Sequence, residues 1–255
     1  MATPLDELVT LLDLESIEVN LFRGVSPIEN RVRVFGGQVA GQSLVAASRT
    51  VDENARHVHS LHAYFLRPGD PNVPILYEVD NIRDGGSFTT RRVVASQRGK
   101  AIFNTEMSFQ VFEEGLSHQA DMPDCPGPDD LEDDNHRWAK IREQLNASTK
   151  TKSSKHRPSL RPIQMRSVEP IDYLNPSPRK PEQLIWIKVA GQLPSKTDNS
   201  LHHAILAYAS DFSLMSTSLL PHAVSMMNPK LQPASLDHCI WFHDSFRADE
   251  WLLYH

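Results

Sequence analysis

Asp211 is the residue whose placement asks for a chemical explanation. In the stretch from Leu201 to His222, LHHAILAYASDFSLMSTSLLPH, the apolar residues Leu201, Ile205, Tyr208, Phe212, Met215 and Leu219 recur at steps of three and four, the period of a helix. Asp211 falls on the line Ala204, Tyr208, Asp211, Met215, so a helix that buries this face also buries a carboxylate. Such a group must be hydrogen-bonded, paired or shifted upward in pKa, because desolvation penalises its charged form. Two roles fit. One is a structural acid held by donors; the other is a base that orients water, for which a partly desolvated carboxylate has suitable strength near neutral pH.

A second cluster, HVHSLH, contains His57, His59 and His62. It is similar to the H-x-H-x-D-H loop of metallo-β-lactamase-like hydrolases, but Leu61 stands where the acid belongs. The flanking run reads as a strand, and strict alternation sends His57 and His59 to one face and His62 to the other. Zinc needs convergent ligands, so no metal is expected, and His59 is kept as a position near a ligand. No G-x-S-x-G is present, which removes the nucleophile elbow of the α/β-hydrolases. Gly36-Gly37 lacks both the Lys-Ser/Thr of a phosphate loop and the spacing of a dinucleotide fingerprint, so no cofactor is expected. Gly37, Gly41 and Ser48 instead share one helical face, which allows another backbone to approach closely.

The elements that must position these residues can be read in outline. The chain has 255 residues, 40% of them hydrophobic, 23% charged and a net charge of -6, which argues against a nucleic-acid partner. Two cysteines, Cys125 and Cys239, exclude a disulfide framework and suit a reducing compartment. The N-terminus mixes acids with leucines and is no secretion signal, and no apolar run is long enough to span a membrane, so an intracellular protein without membrane insertion is expected.

A short amphipathic helix opens the chain, then the strand-like RVRVF meets Gly36-Gly37 and a helix follows to about Val51. Four β-like runs come next, HVHSLHAYFL, VPILYEVDNI, FTTRRVVASQ and AIFNTEMSFQVF, and the turn chemistry of RPGDPN, RDGGS and RGK between them predicts a four-strand meander. Residues 114–160 form an excursion with acidic, Pro-rich and Ser/Lys-rich blocks and a helix near Trp138 to Leu145, most of it expected to be solvated surface. The scheme then repeats, with strands near Ile163 to Val168 and Leu184 to Val189, a helix capped by Asn199 or Ser200, and the strand SLDHCIWFH. SLHAYF and SLDHCIWF follow their helices in the same way, which suggests an internal duplication. The expected units are 1–113, 114–160 and 161–255, the last incomplete, because the chain reaches EWLLYH in what reads as mid-strand.

Taken together, LLDLESIEVNLFRG, VFGGQVAGQSLVAA, HVHSLHAYFLRPGD, GGSFTTRRVVASQRGKAIF, NPSP, AYASDFSLMSTSLLPH and SLDHCIWFHDSFRADEWLLYH resemble the type II acyl-CoA thioesterases, including their eukaryotic peroxisomal branch. The resemblance implies an α+β fold, a tandem double hotdog in which each copy is a long helix wrapped by an antiparallel sheet. It implies hydrolysis of fatty acyl-CoA without metal or cofactor, and homo-oligomers. Asp211 matches the family's water-orienting Asp, and Ser235, 24 residues on, its Ser or Thr. His59 and Gly37 are the candidate substrate-binding positions. The family's C-terminal Gln, in a motif similar to V-A-Q-E-G, has no counterpart, so a shortened form is expected, with activity reduced or replaced by acyl-CoA binding or instability. The last residues, Leu-Leu-Tyr-His, do not form the Ser-Lys-Leu-like peroxisomal address of relatives, which leaves a cytoplasmic location open. A hotdog hydratase is disfavoured because Ser216 stands where its His belongs, five residues after Asp211.

Overall fold

A computed structural model describes residues 2–27, 32–52, 55–148 and 162–255. Helix α1 (Pro4–Leu12) starts at a reciprocal cap. The Asp6 N–H donates to Thr3 Oγ1 (3.2 Å) and the Thr3 N–H to Asp6 Oδ2 (2.8 Å), while Leu5, Leu8 and Leu12 face the core. A hairpin follows that the sequence does not announce, β1 (Glu15–Glu18) and β2 (Leu21–Gly24). All four side chains of β1 are exposed, so no alternation marks it, and the reversal falls at Asn20, whose φ of 59° lies in the left-handed region that Asn tolerates.

Helix α2 (Gly36–Ser48) is followed by β3 (His57–Phe65), β4 (Ile75–Asp84), β5 (Phe88–Gln97) and β6 (Lys100–Gln110). The strand-like reading of RVRVF is not met: residue 31 lies outside the described residues and 32–35 form no strand. Arg98 and Gly99 both have positive φ, 50° and 73°, so β5 and β6 are joined by the two-residue turn that matches strand twist. The expected four-strand meander is corrected at β3. This strand pairs with β6, not β4, and the sheet order is β1-β2-β4-β5-β6-β3-β9, where β9 is Asp237–Trp241. The connection from 66 to 74, with Pro68, Pro71 and Pro74, is a crossover between non-neighbouring strands and not a hairpin.

The second half contributes α3 (Asp134–Ser148), β7 (Ile163–Ser167), β8 (Ile185–Val189), α4 (Asn199–Ser210), α5 (Leu214–Leu219) and β10 (Leu252–Tyr254). Strands β10, β8 and β7 form a separate three-stranded sheet, whereas β9 joins the seven-stranded one. β9 pairs with β3 from Ser60↔Trp241 to Tyr64↔Asp237, so the two runs that look duplicated lie side by side and antiparallel. The acidic excursion is partly stitched down. The Ser167 hydroxyl donates to Asp134 Oδ2 (2.7 Å), Trp138 packs on Tyr173 (4.6 Å) and the Trp186 indole N–H donates to the Pro126 carbonyl (2.9 Å); 149–161, which hold most of the Ser/Lys-rich block, lie outside the described residues. Among the described residues no helix is long and apolar enough to cross a membrane.

Two corrections concern α4. Its cap is Asp198, whose carboxylate accepts from the Ser200 N–H at 3.0 Å, in place of the expected Asn199 or Ser200. The helical pattern from Leu201 to Leu219 is not one helix, because α4 ends at Ser210 and Asp211 is its C-cap. The Phe212 N–H turns back to the Ala209 carbonyl (3.2 Å), a tighter step than the helix repeat, and the Asp211 side chain leaves the ladder for partners elsewhere.

Helices α2 and α4 pack against each other at backbone distance. A Cβ on Gly37 would lie 2.2 Å from the Tyr208 carbonyl oxygen, and one on Gly41 2.9 Å from that of Ala204. The expected use of Gly37 and Gly41 is met here. Gly37→Ala therefore forces the helices apart, and overpacking of this kind costs about 3 kcal/mol. Thermal unfolding should show a midpoint lowered by roughly 5–10 °C, while Gly115→Ala, where a Cβ meets nothing within 4 Å, should leave it unchanged; equal midpoints would refute the contact.

Candidate active site

Three segments meet at Asp211. The Gly37 N–H donates to its Oδ2 (3.0 Å) and the Ser235 hydroxyl to its Oδ1 (3.1 Å). The first donor exists because Phe35, at the N-cap of α2, has no polar side chain, so the first-turn amides look outside their own segment for an acceptor. A carboxylate also sits favourably at the positive end of a helix. Gly36 makes room: a Cβ there would lie 2.6 Å from Asp211 Oδ2 and 2.8 Å from the Phe65 ring. Behind the acid, Phe35 stacks on Phe212 (4.7 Å) and meets the edge of Tyr208 (5.2 Å), which fixes the turn that Asp211 occupies.

Burial pushes the Asp211 carboxyl above the usual aspartate value of 3.8, against the opposing pull of His238, Ser235 and the Gly37 amide. Burial pushes His238 below its ordinary value, opposed by Asp211 and Asp237. The same cause moves the two groups toward each other and leaves the imidazole neutral near neutrality. His238 Nε2 lies 2.9 Å from Ser210 Oγ, and the Tyr254 hydroxyl donates to the Ser210 carbonyl (3.1 Å). An ionised, partly desolvated carboxylate beside a hydroxyl can hold a water by both of its protons and accept one of them.

Of the residues singled out from the sequence, the structure brings Asp211, Ser235 and Gly37 together. Gly37 presents its amide to Asp211, so it holds the carboxylate. His59 lies elsewhere, its Nε2 on Ser108 Oγ (2.7 Å) and its ring edge-on to Phe88 (5.7 Å). The alternation expected for the histidines is corrected. The β3 register shifts between Val58 and Ser60, so His59 is the extra residue of a bulge and the parity of the strand changes there. His57, paired with Gln110, borders a cleft that also holds His203, whereas His62, paired with Glu106, is exposed and contacts Trp241 (5.1 Å). Among the described residues no three His, Cys, Asp or Glu side chains gather as metal ligands.

His238, Ser210 and Tyr254 are missed by the sequence reading. A signal for Ser210 exists in the duplication: Leu44-Val-Ala-Ala-Ser48-Arg49 aligns with Leu206-Ala-Tyr-Ala-Ser210-Asp211, and Arg49 and Asp211 are the C-caps of α2 and α4. His238 sits in an apolar run with no period of its own, and Tyr254 reaches the site only through the pairing of β10 with β8.

Comparison with known proteins places the chain in context. Residues 26–110 match the family described as acyl-CoA thioesterase N-terminal domain, and 172–255 the family described as acyl-CoA thioesterase. Acyl-coenzyme A thioesterase 8 of Mus musculus is 40% identical over 253 residues, covering 96% of this chain and 77% of the relative. The crystal structure of an acyl-CoA thioesterase II, TesB2, from Mycobacterium marinum superimposes with a TM-score of 0.74 at 44% identity, covering 96% of this chain and 83% of that one. A protein of Alicyclobacillus acidocaldarius described as having a hot dog fold matches with a TM-score of 0.69 at 18% identity, over 94% and 79% of the two chains, and carries the fold alone. The architecture is the α+β double hotdog.

The direction of the Asp211 shift sets a stability test. A carboxyl raised above its unfolded value contributes stability below that value and loses it as pH climbs through the folded one. Near neutral pH the charge is thus a net cost to folding, and Asp211→Asn, which keeps one acceptor oxygen, should unfold at a urea concentration no lower than the parent at pH 7. A clearly lower midpoint would mean that the ionised form stabilises the fold.

Proposed function

The chain belongs to the acyl-CoA thioesterase family, and from that premise we propose that it hydrolyses fatty acyl-CoA thioesters with water held by Asp211 and Ser235. The observation that carries this reading is the bond chain Ser235–Asp211–Gly37. The Ser235 hydroxyl has one proton, and it is committed to Asp211 Oδ1, so the Ser235 oxygen is left as an acceptor. A water beside the pair donates one proton to Asp211 and the other to Ser235, and its lone pair is then aimed outward at the thioester carbonyl. Attack forms the new carbon–oxygen bond as Asp211 takes the proton, collapse breaks the carbon–sulfur bond, and the proton passes to the departing CoA thiolate. No acyl-enzyme is needed.

The oxyanion requires a donor, and the first-turn amides of α2 are the groups of the right sign beside Asp211. Both cysteines are free, Cys125 half-buried and Cys239 exposed, in keeping with a reducing, intracellular setting.

The test is CoA release followed with a thiol reagent over a series of acyl-CoA chain lengths. Asp211→Asn should lower kcat by about 10²–10⁴ and Ser235→Ala by about tenfold or more, while Ser235→Thr should keep most of the rate. In the parent, kcat should fall toward acid pH with a midpoint above 3.8, since Asp211 must be ionised to act. Turnover in Asp211→Asn within a factor of about ten of the parent would end this reading.

A further inference from the structure

Beside the catalytic pair lies a buried histidine that the hydrolytic scheme does not use. His238 is 6% exposed and inner-facing on β9, where it pairs with Ala63 of β3. Its Nε2 lies 2.9 Å from Ser210 Oγ, and the Ser210 hydroxyl lies 3.0 Å from the Ala207 carbonyl oxygen. A hydroxyl has one proton and a carbonyl can only accept. Both contacts are made at once in one arrangement: Ser210 donates to Ala207, and His238 donates to Ser210 from a protonated Nε2. The neutral ring is thereby fixed in its Nε2–H tautomer.

Ser210 is the last residue of α4 and Asp211 follows it directly. The Tyr254 hydroxyl clamps the Ser210 carbonyl from β10, so side chains of two strands grip the one residue from which the acid leaves the helix. We propose that His238 is a positioning residue of the hydrolytic site, holding the end of α4 through Nε2–H and Ser210 Oγ so that Asp211 presents its carboxylate between Gly37 and Ser235. This rests on the reading of Asp211 as the base. The charged and titratable groups around the ring are Asp211 from α4 and Asp237 from its own strand; Tyr254 faces Asp211 from β10.

The separating experiment uses His238→Leu and His238→Gln with Asp211→Asn in parallel. Gln carries an N–H that can replace Nε2–H but has no titratable charge. His238→Leu should lower kcat by about tenfold or more with KM within about threefold of the parent, because ground-state binding is untouched while the base is misplaced. His238→Gln should restore kcat to within about threefold of the parent. If Asp211→Asn loses turnover but His238→Leu matches the parent in kcat, the positioning role is overturned and the hydrolytic reading stands. If Asp211→Asn retains turnover, the hydrolytic reading itself fails. Should the Leu protein not fold, Ser210→Ala, which removes the hydroxyl that His238 grips, decides: a kcat matching the parent overturns the proposal.

Discussion

The contact on which the rest depends is the one between the Gly37 amide and the Asp211 carboxylate, made where α2 and α4 come closest. It does three things at once. It satisfies a first-turn amide that Phe35 cannot cap, it joins the two central helices, and it fixes an acid that the fold must keep partly out of water. Hydrogen bonds to a charged group are worth about 1.5–3 kcal/mol each, and a helix terminus adds up to about 2 kcal/mol in a partly buried geometry. Burial outweighs these terms, so the carboxyl stays above its usual value. Glycine at 36 and 37 is the steric condition, because a side chain at either position would enter the space of the acid or of the facing backbone.

Duplication explains the architecture, and its breakage explains the chemistry. β3 and β9 carry similar runs and pair with each other, which covers an edge that each would otherwise expose. The two helix ends have diverged. Arg49 occupies the C-cap of α2 and is spent on the Leu14 carbonyl and the Asp13 carboxylate, whereas Asp211 at the C-cap of α4 turns inward to α2. The end of the pair that carries Arg49 borders a polar cleft lined by Ser48, Arg56, His57, Asp198 and His203, with no acid in the place of Asp211. Of the two helix ends, the C-cap of α4 therefore carries the acid and that of α2 does not.

Legibility in the sequence followed periodicity. Asp211 was visible because it interrupted an apolar line, the two central helices because their stripes are regular, and Gly37 and Gly41 because small residues one turn apart invite a close neighbour. Ser235 had no such signal; it follows Pro and Ala in a loop, and only the family resemblance pointed to it. Features set by tertiary geometry stayed hidden. Strand β1 has no buried face, the bulge at His59 reverses strand parity without any glycine or proline to mark it, and the helix break at Asp211 occurs because its side chain has better partners outside the ladder. The place of β3 in the sheet is not legible because loop composition gives the presence of a turn but not which strand the chain meets next.

The pairing of Asp211 with His238 shows how one environment sets two charge states. Burial penalises any charge, so it raises the acid and lowers the base, and each then partly offsets the other's shift. Above both displaced values the pair carries one negative charge on Asp211 and a neutral ring. The Nε2–H tautomer that Ser210 imposes is available to the neutral ring, so gripping the helix end demands no charge on His238 and does not weaken the base. Holding and proton acceptance are thereby assigned to different atoms, which allows the site to be rigid and basic at the same pH.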